Sequence, residues 1–186
     1  MDKLDFIVEG IRNLKTVGSV TPSSKYLCRA MIEPIDFAKA KVIVELGPGN
    51  GVITSYILEA MQADSKLFAF EVNDSFCELL SQKYGHDTRF HLIAASAENI
   101  EQHLSEHNHD QADYVISAIP FTILPDEIAK TIIRESKRIL KPGGLFIQFH
   151  YSLFAKKMYQ EIFDEVKVDF VPLNFPPAFV LECKKI

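Results

Sequence analysis

No stretch of this chain comes near the roughly 20 consecutive apolar residues that a membrane-spanning helix requires. The nearest, residues 114–124, is interrupted by Ser117 and Pro120. Cysteine is scarce. Cys28, Cys77 and Cys183 are odd in number and widely spaced, which argues against a disulfide framework and matches no zinc pattern. Three buried, reduced thiols in a cytoplasmic protein are expected. A surplus of positive charge is also missing, since 20 Lys and Arg face 25 Asp and Glu for a net charge of −5. That balance gives no global attraction to nucleic acid or anionic membrane, so either contact needs a local basic patch. The first residues, Met1-Asp2-Lys3-Leu4-Asp5, place acids where a secretory leader is basic and then apolar. Repeats, linkers and low-complexity tracts are absent. What remains is ordinary globular usage, 47% hydrophobic and 24% charged, in 186 residues, near the size of one well-cored domain.

Residues 43–54, Ile-Val-Glu-Leu-Gly-Pro-Gly-Asn-Gly-Val-Ile-Thr, hold most of the functional information. An apolar run over 42–44 meets an acid at Glu45 and breaks into Gly47-x-Gly49-x-Gly51. Val52, Ile53, Ile57 and Leu58 then recur at helical spacing. Strand, glycine turn and helix build a nucleotide pocket at the carboxyl end of a strand in doubly wound α/β folds. The dinucleotide fingerprint Gly-x-Gly-x-x-Gly is not met, because Val52 occupies the third glycine position. Glu45 discriminates further: it would repel a pyrophosphate and attract the sulfonium and ammonium of S-adenosylmethionine. At ~6 Å and an effective dielectric of ~20, each unit charge is worth roughly 3 kcal/mol. Glu71 follows a second apolar run, 66–70, about 20 residues after the last glycine, where an acid binds ribose hydroxyls in this architecture. S-adenosylmethionine is therefore the expected cofactor, with Glu45, Gly47, Gly49, Gly51 and Glu71 as candidate binding residues. The plainer alternative is a glycine turn with two strand-end acids on a solvated rim.

Leu4, Ile7, Ile11 and Leu14 recur at helical spacing and predict an amphipathic helix over 3–14. Turn and cap residues at 19–24 lead to a second helix over 25–32, stopped before Pro34. Beyond the glycine turn, strands are expected over 66–70, 89–94, 113–119 and 145–151, with helices over 75–84, 97–106 and 125–140. A short helix over 154–163 precedes two final strands, 166–173 and 179–184. Residues 1–40 are read as a helical lid and 41–186 as the core of a single α/β domain.

Ligands in a parallel sheet sit beyond the carboxyl ends of the central strands. Ser96 would there hydrogen-bond the adenine amine and the Ala97 N–H a ring nitrogen, unless Ser96 caps the next helix through Asn99 or Ile100. Carbonyls over Ser117, Pro120 and Phe121 can accept from an acceptor amine, with Phe121 as an aromatic wall. The alternative is an ordinary strand exit set by Pro120. His150, with Tyr151 beside it, is the candidate base that removes a proton from an ammonium before methylation. A structural histidine is the competing reading. His103, His107 and His109 hint at a metal, but their loop setting favours a solvated connection, and no metal is expected.

Taken together these residues resemble class I adenosylmethionine-dependent methyltransferases, and more narrowly the bacterial phospholipid N-methyltransferases, relatives of the ribosomal RNA adenine dimethyltransferases. Residues 14–24, Leu-Lys-Thr-Val-Gly-Ser-Val-Thr-Pro-Ser-Ser, resemble that family's "KTGAIAPSS". Residues 44–52 resemble "VELGPGTGV", with Asn50 for Thr, and Ser117-Ala118-Ile119-Pro120 resembles "SGLP". Residues 140–144 match "LKPGG", Gln148-Phe149-His150-Tyr151 is similar to "QFTY", and Asn174-Phe175-Pro176-Pro177-Ala178 matches Asn-x-Pro-Pro-Ala. The glycine motif is common to many methyltransferases; the others are more selective.

The resemblance implies a Rossmann-like, seven-stranded, mostly parallel sheet with the last strand antiparallel, helices on both faces and an amino-terminal lid. It implies phosphatidylethanolamine as acceptor, the three glycines and Glu45 at the methionine part of the donor, and Glu71 at the ribose. Thr21, Ser23 and Ser24 would lie over the reacting end. Two departures stand out. Ser96 replaces a frequent Asp, and Ala118 stands where the RNA adenine enzymes place the Asn that accepts from the target amine. The expected protein is a peripheral N-methyltransferase of a lipid or other small amine, with His150, Tyr151 and Ser117 as candidate catalytic residues. The alternatives are an RNA adenine N6-methyltransferase and a non-catalytic adenosylmethionine-binding module. The oligomeric state is left open.

Overall fold

A computed structural model of the chain describes residues 23–186; the expected helix over 3–14 and the candidate Thr21 lie outside the described residues. Helix α1 (Lys25–Ile32) opens at Ser24, whose hydroxyl accepts the Leu27 N–H at 3.2 Å, and stops before Pro34. There follow β1 (Val42–Leu46), α2 (Val52–Ala60), β2 (Lys66–Phe70), α3 (Asp74–Tyr84), β3 (Phe90–Ile93), α4 (Ile100–Glu106) and β4 (Ala112–Ser117). The chain continues through α5 (Asp126–Ile139), β5 (Leu140–His150), α6 (Lys156–Ile162), β6 (Glu165–Val171) and β7 (Ala178–Lys184).

The strands form one sheet in the order β3-β2-β1-β4-β5-β7-β6, in which β7 alone runs against the direction of the other six. All five residues of β1 are buried, as a strand covered on both faces must be. Val42, Val44 and Leu46 face one apolar layer, with Ile100, Leu104, Ile132, Ile133 and Tyr159 from α4–α6. Ile43 faces the other, with Leu27, Met31, Ile57 and Leu80 from α1–α3. α1 is therefore part of the main core.

Most boundaries shift by one or two residues, as where β4 ends at Ser117 rather than 119 and β6 at Val171 rather than 173, and three shifts change an element's character. The segment expected as one helix over 97–106 begins as a 3-10 turn, Ala97–Asn99, before α4. Pro125 lies just outside α5, and its carbonyl accepts from Ile128 and Ala129 at 3.0 Å. β5 starts at Leu140 rather than 145: the register passes from Ala112↔Leu140 to Tyr114↔Leu145, so residues 141–144 form a bulge within the strand.

The glycine turn is tightest at Gly51, where φ is +77° and a methyl group would stand 2.7 Å from the Tyr84 ring and 2.9 Å from Leu80. At Gly49 φ is +57°, but the nearest atom is 3.8 Å away. Gly51→Ala is expected to cost roughly 2–4 kcal/mol, from left-handed strain plus overpacking, and Gly49→Ala only about 1–2 kcal/mol. Urea unfolding measures both, and equal losses would mean that α3 yields to the added methyl.

Candidate active site

Strand order reverses between β1 and β4, where an open α/β sheet leaves a crevice at its carboxyl edge. Glu45 sits there, paired with Ala69 on β2 and Ile116 on β4. Its side chain is 1% exposed. Oε2 accepts from the Thr54 hydroxyl at 2.7 Å, and Oε1 has no hydrogen-bond partner. Burial pushes the Glu45 pKa up to about 8, with the Glu71 charge adding to the rise and the Thr54 bond opposing it. An acid held neutral in an apolar wall, with one oxygen unsatisfied, fits a ligand that brings a donor or a cation.

Glu71, one residue beyond β2, is also buried. Its Oε1 accepts the N–H groups of Val72 and Asn73 at 2.9 Å, and its Oε2 accepts that of Gly49 at 3.0 Å. The tip of β2 and the glycine turn after β1 are thereby joined. Gly47 lies against the tip of β4, where a methyl group would stand 3.0 Å from Ile119 Cγ1. Gly51 faces α3 instead, and its carbonyl accepts from the Tyr84 hydroxyl at 2.8 Å.

The other candidates are placed less simply. The Ser96 hydroxyl accepts the Glu98 N–H at 3.3 Å and lies 3.2 Å from the Glu98 carboxylate, so it does cap a turn, through a different donor from those expected. Ala97 is buried beside it. Ser117 is wholly buried, and its hydroxyl accepts the Ile119 N–H at 3.2 Å within its own turn. Phe121 is no wall of an open pocket: it is buried in the core, its ring centroid 6.4 Å from that of Phe146. Pro120 is half-buried.

His150 has the surroundings of the structural reading. It lies on the face of β5 that carries Phe146, and its Nε2 is 2.8 Å from the buried hydroxyl of Tyr159 on α6. Burial lowers its pKa to about 4, so it is neutral at pH 7 and turned into the core. Tyr151 is half-exposed, edge-on to Phe149, with the Asn174 side chain at its hydroxyl. Ser23 and Ser24 are half-buried at the start of α1.

Two residues emerge that the candidate set lacked. Gln148, paired with Ser117 across β4 and β5, donates to the Ile119 carbonyl at 3.2 Å, and its Oε1 is buried without a partner. Asn174 accepts the Ser24 N–H at 3.0 Å and donates to the Pro176 carbonyl at 2.7 Å. A polar side chain inside an apolar strand was the available signal for the first. The histidines at 107 and 109 pack edge-on to Phe68, and His91 stacks on the same ring. Among the described residues, no group of three or more His, Cys, Asp or Glu side chains is arranged to hold a metal ion.

A sheet of this order, a glycine turn after its first strand and a buried acid at that strand's end define an S-adenosylmethionine-dependent methyltransferase. The chain belongs to the family described as a methyltransferase domain, which matches residues 43–144. It is 30% identical over 182 residues to the ornithine lipid N-methyltransferase of Singulisphaera acidiphila, covering 97% of this chain and 95% of that one. Ribosomal RNA small subunit methyltransferase A of Borreliella burgdorferi is 29% identical over 102 residues, 55% of this chain but 34% of its own length. The fold is shared with the N-methyltransferase NodS from Bradyrhizobium japonicum WM9, solved with S-adenosyl-l-homocysteine. That likeness has a TM-score of 0.68 at 12% identity and covers 84% of this chain and 82% of that one.

The His150 environment sets a pH dependence. Above pH 6.5 the histidine is neutral in both folded and unfolded chains. As pH falls from 6.5 to about 4 only the unfolded chain takes the proton. The group then removes up to about 3 kcal/mol of stability. His150→Asn lacks this titration, so its stability deficit at pH 7.5 should shrink at pH 4.5. Denaturant unfolding at the two values measures the gap, and a constant gap would contradict the burial assignment.

Proposed function

We propose that the enzyme methylates the amine nitrogen of a membrane lipid. The observation that carries this reading is the end-to-end likeness, 97% of this chain, to an enzyme named for N-methylation of a lipid. The RNA relative is matched over only a third of its length, and Ala118 offers no side-chain acceptor to a target adenine. Phosphatidylethanolamine and ornithine lipid share the chemistry at issue, a free amine on the headgroup of an acyl-bearing lipid.

S-adenosylmethionine supplies an electrophilic methyl group on a sulfonium sulfur. Glu45 meets the cationic end of the donor with its unpartnered Oε1, while Glu71, aimed by three N–H groups, accepts from the ribose. Gly47 and Gly49 let the donor approach the main chain. Ser96 and Ala97 border the adenine. The acceptor nitrogen would lie beside the turn from Ser117 to Pro120, which Gln148 and the Phe121 N–H brace at the Ile119 carbonyl, with Ser23 and Ser24 bordering it. Catalysis is then mostly positioning of that nitrogen in line with the methyl group. His150 supports the sheet from behind and is not the base.

Because Glu45 carries a proton at pH 7 in the free protein, donor binding should release close to one proton, and affinity should strengthen as pH rises toward 8. Calorimetry in buffers of different ionisation heat reads the release, and Glu45→Gln should abolish it. Binding without buffer dependence would remove Glu45 from the cationic end. The acceptor is tested with methyl-labelled donor against vesicles containing phosphatidylethanolamine, vesicles containing ornithine lipid, and total RNA. Label in either lipid is expected and identifies the headgroup; label in RNA alone would defeat the reading.

A further inference from the structure

Among the described residues nine large apolar side chains are exposed, and six of them gather at one place: Tyr26, Tyr151, Leu153, Phe154, Leu173 and Phe175. They lie on the first turn of α1, the loop after β5 and the β6–β7 loop. These segments are contiguous. The Ser24 N–H donates to Asn174, the Tyr151 hydroxyl meets Asn174, and His150 pairs with Phe179 across β5 and β7. The loop after β5 leaves the same edge of the sheet as the tips of β1 and β4, so the cluster stands on the rim of the candidate site. Phe154 is 94% exposed and Phe175 83%, values that no packing within the described fold accounts for.

Charge along these segments is one-sided, although Lys157 lies 3.9 Å from Glu161 on α6. Segments 23–29, 151–157 and 172–178 contain no Asp or Glu, yet they carry Lys25, Arg29, Lys156 and Lys157, in a chain of net charge −5. Aromatic tips flanked by cations suit an anionic bilayer, with rings among the upper acyl chains and ammonium groups at the phosphates. Resting on the lipid-amine reading above, we infer that this rim is the face by which the enzyme docks on an anionic lipid surface, Phe154 and Phe175 entering the bilayer beside the pocket mouth. Docking in this pose brings the acceptor headgroup to the tips of β1 and β4 without extracting the whole lipid into water.

The chain has no tryptophan, so Phe154→Trp in the full-length protein gives a single reporter. With vesicles of phosphatidylglycerol and phosphatidylethanolamine its emission should move to shorter wavelength and be quenched by lipid brominated on the acyl chains. The response should weaken with phosphatidylcholine vesicles and with salt. The Phe154→Asp/Phe175→Asp variant should keep its donor affinity while its recovery with floated vesicles falls at least tenfold. Emission already at short wavelength without lipid and unmoved by vesicles would overturn the inference, since residues 1–22 or a second copy would then cover the face. So would undiminished flotation of the double variant. Docking is read here without turnover, so a protein that docks but methylates no lipid fails only the acceptor assignment.

Discussion

The burial of one carboxyl group constrains everything around the site. Glu45 sits at the carboxyl end of the central strand with almost no exposed surface, where a bare charge would cost several kcal/mol. It keeps its proton, and it needs a partner. Thr54 supplies one from the first turn of α2, only nine residues further on. To bring Thr54 within reach the chain must reverse almost at once, which is why Gly47, Gly49 and Gly51 all have positive φ. The same turn exposes the Gly49 N–H to Glu71, so two strand tips and a helix start are fixed by one short segment.

The rim formed by α1 and the later strands is held differently, by contacts between distant parts of the chain. Ser24 and Asn174 are 150 residues apart in sequence, and their hydrogen bond sets the start of α1 against the β6–β7 loop. Gln148 braces the turn after β4 from a neighbouring strand. The geometry around Glu45 and Glu71 is therefore local to residues 45–73, whereas that of the turn after β4 and the start of α1 depends on the assembled carboxyl-terminal half.

Local features were legible in the sequence. α1 and β2 match the expected ranges, because cap residues, Pro34 and the apolar run 66–70 leave little choice. β5 was read five residues short, since Gly143 and Gly144 look like a stop when the strand passes through them as a bulge. The side to which a strand residue points was not legible. Residues 146, 148 and 150 share a face by simple alternation, but only the docking of α6 decides that this face is closed, placing Tyr159 against His150. Ser96 was ambiguous for a related reason: a serine at a helix start can serve the backbone or a ligand, and the Glu98 N–H already lies on its hydroxyl.

The position of β7 bears on the order in which the sheet can assemble. It is the last strand in the sequence, yet it lies between β5 and β6, which do not touch each other without it. Until residues 178–184 pair, β6 has no neighbour in the sheet and the Asn174 loop lacks one of its two flanking strands. The first five strands could assemble beforehand, with the donor pocket among them. The rim that carries Phe154 and Phe175 is therefore the last part of the sheet edge to gain its support, after the segment that holds Glu45 and Glu71 is already in place.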